Sequence, residues 1–305
     1  MPDYEAIDAH VHTYPSREIG RQAMMGTGRT DYGGTVEELL EIMRRAGIRA
    51  AVQVNMTPIA DMRDAALARL PADLSPAQRE EAQARIAQEL KGRLQRRNRW
   101  TCQVSRQHPE LVPFIGLDPT VMTGAEMLAE LEECLALGAR GIKLHPAAQR
   151  FYPADERLAP VYERAQELGL PITFHCGPFA LGPDEGGYAH PRHFAPLLQR
   201  FPRLRAVLGH AGLAAYRDAL ALAREFPQAM FDCCGLINGT EPSPLLSDDE
   251  AAAFLRDIGI GRVMFGSDYP WFDPERDVAC IARLPLSDEE KRAVLHDNAA
   301  HLLGL

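Results

Sequence analysis

Ile7-Asp8-Ala9-His10-Val11-His12 is a short apolar run that closes on two histidines two residues apart. In a strand, residues two apart face the same way, so His10 and His12 point together, with Asp8 beside them. Four later runs end in the same manner: Ile142-Lys143-Leu144-His145, Ile172-Thr173-Phe174-His175, Val207-Leu208-Gly209-His210 and Val263-Met264-Phe265-Gly266-Ser267-Asp268. Polar groups gathered from the ends of several separate strands are how a parallel barrel assembles its site. Neutral imidazoles with a carboxylate are the ligand set of a hydrolytic divalent metal such as zinc.

Between these runs the chain alternates. Strands are expected near 5–11, 48–54, 111–117, 139–145, 170–175, 205–209, 228–232 and 261–266, with helices near 35–46, 75–107, 123–137, 156–168, 192–200, 213–225, 248–257 and 287–302. Eight strands, each followed by a helix, is the count of a closed (β/α)8 TIM barrel, here an α/β chain read as one domain over 1–305. An open doubly wound sheet would carry a Gly-rich phosphate turn after its first strand, and none follows here. Thr35, with Glu38 three residues on, reads as a capping box, and Gly47 stops that helix. Ser75-Pro76 opens a longer helix that makes 56–107 an extended helical insertion after strand 2, in part a lid or a dimer contact. Loops at 13–34, 177–191 and 235–247 share the rim of the proposed site, and Met24-Met25 in the first would line an apolar pocket.

The bulk properties exclude several classes. A chain of 305 residues with 46% hydrophobic content builds a large core, and its net charge of −9 argues against nucleic acid or an anionic membrane as partner. No stretch approaches the ~20 apolar residues that cross a bilayer. Met1-Pro2-Asp3-Tyr4-Glu5 carries no basic region leading into an apolar core, so no secretory signal is read. Six irregularly spaced cysteines suggest ordinary thiols of a reduced, cytoplasmic protein.

The motifs as a set resemble the amidohydrolase superfamily, specifically its amidohydrolase-2 branch, which includes aminocarboxymuconate semialdehyde decarboxylase. The matching pieces are Asp8-Ala9-His10-Val11-His12, Gly141-Ile142-Lys143-Leu144-His145-Pro146, Phe174-His175, Gly209-His210-Ala211-Gly212, Phe265-Gly266-Ser267-Asp268-Tyr269-Pro270 and Asn298-Ala299-Ala300. The resemblance implies that His10, His12, His175 and Asp268 bind a catalytic divalent ion, most often Zn2+, and that His210 faces the substrate or its attacking water. Chemically, an ion held by imidazoles lowers the pKa of a bound water to ~7. Asp268 can ligate and accept a proton, and His210 can stabilise a developing oxyanion. A strand-four lysine is carboxylated in two-metal relatives, so Lys143 admits a second ion, although one is favoured. His145 is expected to touch substrate or support a ligand, and Asp8 to orient a histidine.

Other signals carry bland readings. Arg150, Tyr152 and Asp155 would meet a substrate carboxylate or form a rim salt-bridge network. Cys176 should point away from the metal, and the run Lys91, Arg93, Arg96, Arg97, Arg99 reads as a solvated face. The function expected is a metal-dependent hydrolase acting on an amide, lactone or other acyl carbon of a small molecule. Its rival is non-oxidative decarboxylation of an unsaturated or aromatic acid, for which the resemblance leads one to expect an arginine beyond strand two; Gln53 and Asn55 stand there instead. The resemblance also suggests a homodimer.

Overall fold

All eight expected strands form, and they pair in parallel in sequence order. In the computed structural model, which describes residues 5–25, 31–178 and 187–305, they are β1 (Ala6–Val11), β2 (Ile48–Gln53), β3 (Leu111–Gly116), β4 (Gly141–Leu144), β5 (Ile172–His175), β6 (Ala206–Gly209), β7 (Met230–Asp232) and β8 (Val263–Met264). Parts of the rim loops expected at 13–34 and 177–191 lie outside the described residues. The backbone beyond β8 joins β1 and shuts the ring. Ala9 N donates to Phe265 O (2.9 Å), Asp268 N to His10 O (2.7 Å) and His12 N to Tyr269 O (2.7 Å). Strands in consecutive order, closed on themselves with helices between them, are a TIM barrel.

The core lies mainly between strands and helices. Leu39, Ile42 and Met43 of the helix Val36–Ala46 are buried, as are Leu197 and Leu198 of Ala195–Arg200. A smaller apolar cluster groups Val52, Val112, Phe114, Val207 and Met264 from the strands with Leu302 and Leu303 of the C-terminal helix Asn298–Leu303. Gly141 belongs to this packing, because a Cβ there would sit 2.4 Å from the Phe114 ring. No helix among the described residues is long and apolar enough to cross a membrane.

Several local expectations meet a different outcome. The helix Pro76–Gln107 has the anticipated cap at Ser75, whose side chain accepts from Gln78 N while Gln78 reaches back. Its basic run is not simply solvated: Lys91 pairs with Glu126 (2.7 Å), Arg99 with buried Glu130 (2.6 Å), and Arg97 donates to the Thr13 carbonyl. Lys91 and Arg99 thereby tie the insertion to carboxylates of the next helix, Gly124–Ala136, and Arg97 ties it to the turn after β1. Thr35 caps its helix, but Glu38 makes no capping box. Its carboxylate instead accepts from Gly33 N (2.7 Å), Gly34 N (2.9 Å) and the Tyr269 hydroxyl (2.7 Å). Of three further helices, Arg17–Ala23 lies in a stretch read as a rim loop, Ile59–Leu67 falls within the expected helical insertion, and Pro274–Arg283 occupies a stretch given no element.

Candidate metal centre and active site

Barrel closure sets the first part of the site. His10 and His12 stand at the end of β1, and the Asp268 amide is bonded to the His10 carbonyl. Asp268 adopts a left-handed backbone, φ 58°, a conformation that aspartate tolerates better than most residues. As a result the Asp268 Oδ1 lies 3.3 Å from His12 Nε2 and 3.7 Å from His10 Nε2. One ligand atom from each of these three residues falls within 4.8 Å of the others. Gly266 makes room, since a Cβ there would lie 2.9 Å from the Cβ of His10. Asp8 acts on backbone rather than on an imidazole. Its Oδ1 accepts from His10 N and Ser267 N, each at 3.0 Å, and burial lifts its pKa to about 7.

Asp232 at the end of β7 is a partner that the sequence reading did not single out. Its Oδ2 is 2.8 Å from His10 Nδ1, and its Oδ1 accepts from His210 N (2.7 Å). Burial opposes its charge, yet the adjoining His10 keeps the carboxyl well below its ordinary range. A carboxylate on Nδ1 fixes the proton there and turns the Nε2 lone pair outward, as in a metal-ligating histidine. Lys143 Nζ lies 3.1 Å from that Nε2, and burial pushes the lysine pKa down.

The remaining histidines line the same cavity. His145 and His175 stack with ring centroids 4.1 Å apart, and His175 meets His210 edge-on at 4.5 Å. His175 lies outside the compact ligand group of His10, His12 and Asp268. Burial depresses the pKa of His12, His145 and His175 well below the ordinary value and that of His210 to about 4. These rings therefore stay neutral, the state a metal ligand requires. His145 Nδ1 accepts from Ala148 N (3.2 Å), capping the turn Pro146–Gln149. His210 (φ 64°) opens a strained turn in which Ala211 and Leu213 also have positive φ.

Donor chemistry and geometry together fit a divalent cation: two Nε2 atoms and a carboxylate oxygen converge at one spot, with an Asp–His support behind it.

Around this centre lies a cavity of about 600 Å3. Tyr14, Met25, Met56, Leu213, Trp271 and Phe272 form much of its wall, and Lys143 is the only cationic side chain among the described residues lining it. Arg150 is not in the wall. It pairs on the rim with Asp61 (3.2 Å) and Asp64 (2.6 Å), while Asp155 pairs with Arg157 (2.7 Å). Gln53 and Asn55 are likewise committed, holding the turn after His12 through Thr13 Oγ1 (2.7 Å) and Thr13 N (2.9 Å). Cys176 is buried, and all six cysteines are unbridged.

A closed parallel barrel with a His-x-His strand, an acidic side chain from the closing segment and a lysine on β4 defines a class of metal-dependent enzymes. The family profile of the amidohydrolases, amidohydrolase-2 type, matches residues 7–305, and the chain belongs to that family. No curated protein matches the sequence. Among solved structures, an uncharacterized TIM-barrel protein of Bordetella bronchiseptica is 21% identical over 98% of both chains, with a TM-score of 0.73. A 5-carboxyvanillate decarboxylase of Sphingomonas paucimobilis is 17% identical over 99% of this chain and 100% of that one, with a TM-score of 0.64. A dihydroxybenzoic acid decarboxylase of Polaromonas, solved with manganese and 2-nitroresorcinol, is 16% identical over 99% and 97%, with a TM-score of 0.69. At such identities the likeness carries the fold.

Proposed function

We propose that this protein is a divalent-metal-dependent hydrolase adding water to an amide, lactone or other acyl carbon of a small molecule. The observation that carries the proposal is the convergence of His10, His12 and Asp268 in a cavity whose described wall holds no arginine. The ion would be held by His10, His12 and Asp268, with His175 turning in from the same wall. Zinc suits this imidazole-rich set. When bound, the ion would polarise the acyl oxygen and make a water nucleophilic near neutral pH.

The protein's own groups supply the rest. Asp268 accepts the proton released as water oxygen bonds to the acyl carbon, and returns it to the leaving amine or alkoxide as the old bond breaks. Lys143, buried beside His10, places positive potential where the oxyanion develops. The apolar walls from Met56, Leu213, Trp271 and Phe272 favour a substrate with an apolar or aromatic body. Decarboxylation is the second reading, favoured by the decarboxylases that share the fold along nearly their whole length. It would require Lys143 and the ion to hold the carboxylate.

The experiment is a panel of esters, lactones, amides and aromatic acids, run in 18O-labelled water with the zinc-loaded protein. Label entering an acyl product supports hydrolysis; carbon dioxide release without it supports decarboxylation. His10→Ala or Asp268→Ala should cost on the order of 10²–10⁴ in turnover while the far-ultraviolet circular dichroism persists. Full activity in either variant overturns the assigned roles.

A further inference from the structure

Behind the cavity, a fully buried thiol lies among three groups of the site. Cys234 Sγ is 2.8 Å from Asp232 Oδ1, 3.1 Å from His210 Nδ1 and 3.4 Å from His10 Nδ1. Gly266 and Cys234 pack closely, since a Cβ on the glycine would lie 3.3 Å from the Cys234 Cβ. Heavy-atom geometry determines where the protons in this cluster go. Asp232 Oδ1 accepts from the amide of His210 at 2.7 Å, and Oδ2 takes the His10 Nδ1 proton at 2.8 Å. An ionised carboxylate only accepts, so in its short contact with Asp232 the thiol must be the donor. With its single proton committed, the sulfur offers His210 only lone pairs. The second neighbour of His210 Nδ1, the Cys234 carbonyl at 3.3 Å, is also an acceptor and already takes the Leu236 amide at 2.8 Å. Two acceptors facing one ring nitrogen require that nitrogen to carry the hydrogen.

We propose that Cys234 is a positioning residue that holds His210 as its Nδ1–H tautomer, so that His210 presents a lone pair to the cavity through Nε2. His145 is set the opposite way. Its Nδ1 accepts the Ala148 amide, so its Nε2 carries the hydrogen and acts as a donor. The cavity thereby has a proton acceptor and a proton donor on two rings that each contact His175, both lining it. Resting His210 takes no part as an oxyanion donor, which leaves that work to Lys143 and His145, and it enters the reaction by receiving a proton. The tautomer stands whatever compound is turned over; only the direction of proton flow rests on the hydrolase reading.

The test reads tautomers directly. The zinc-loaded protein is labelled with 15N in its ten histidines, and long-range 1H–15N correlations are recorded. His210 is assigned from the signals lost in His210→Gln. The wild type should show a protonated Nδ1 and a bare Nε2 at His210, and the reverse at His145. Cys234→Ser keeps a group that donates to Asp232 and accepts from His210, and should preserve that pattern. Cys234→Ala removes it and should lower the Nδ1–H to Nε2–H ratio at His210 about fivefold, the worth of one ordinary hydrogen bond. An Nε2–H form of His210 in the wild type, or a ratio unchanged in Cys234→Ala, overturns the proposal. Neither result depends on turnover, so a failed search for an acyl substrate would count against the hydrolase reading alone.

Discussion

Asp232 holds the His10 ring, the His210 amide and the Cys234 thiol, and each contact orients a group of the candidate centre. Asp232→Asn keeps the shape but gives up the charge that fixes the His10 proton. Divalent-ion affinity, measured by titration calorimetry, should fall about 10- to 100-fold. The histidines were legible because each ends an apolar run; Asp232 ends one too, after Met230-Phe231, but a single acidic residue there reads equally well as a turn. Cys234 offered even less, since the sequence does not tell that its sulfur meets two imidazoles. Asp277 supplies a separate test. Burial lifts its carboxyl from the ordinary 3.8 to about 8, although Gly239 N and Thr240 Oγ1 donate to it. A carboxyl raised in the folded state contributes most below pH ~4, and its contribution is lost as pH climbs through 8. Asp277→Asn has no such loss, so its advantage over the wild type should grow between pH 4 and 8, reaching roughly 2–4 kcal/mol in urea unfolding. Equal pH profiles would contradict the buried-acid assignment.

Among the elements, the insertion helix Pro76–Gln107 has the clearest structural task. Arg97, whose pKa burial lowers to about 10, donates to the Thr13 carbonyl one residue beyond His12. Its guanidinium also lies over the rings of Tyr14 (5.0 Å) and Trp100 (4.6 Å). The helix thus buttresses the end of β1. Arg97→Ala should cost about 1–3 kcal/mol in denaturant unfolding and weaken ion binding in the folded protein. Unchanged ion affinity would mean that the turn after His12 holds itself. The helix start was readable from Ser75-Pro76, as the capping chemistry is local. Arg17–Ala23 spans only seven residues with one buried, so its apolar period is too weak to register. Pro274–Arg283 did carry a signal, Asp273 capping before a proline at the first turn, which went unread. Strand β8 is shorter than the expected 261–266, because Ile260–Arg262 winds into a 3-10 turn and the Phe265 amide turns to the Val294 carbonyl.

For the molecule as a whole, eight alternating strand and helix patterns made the barrel legible, since each strand needs only its own composition to be recognised. The centre was less so, because its geometry arises from contacts between β1 and the segment after β8, more than 250 residues apart. An ion bound only by the folded state stabilises it by RT ln(1 + [L]/Kd), or about 2.7 kcal/mol at a hundredfold excess over Kd. Zinc should therefore raise the melting temperature of the wild type, and a chelator reverse it, with no such response in His10→Ala. A rise of equal size in that variant would place the ion elsewhere.

That closure has a consequence during synthesis. A growing polypeptide that already displays both β1 imidazoles lacks their carboxylate until the segment beyond β8 has been made. Half-made chains would thereby be poor competitors for a divalent ion, and capture of such an ion would certify that the first strand has found the last.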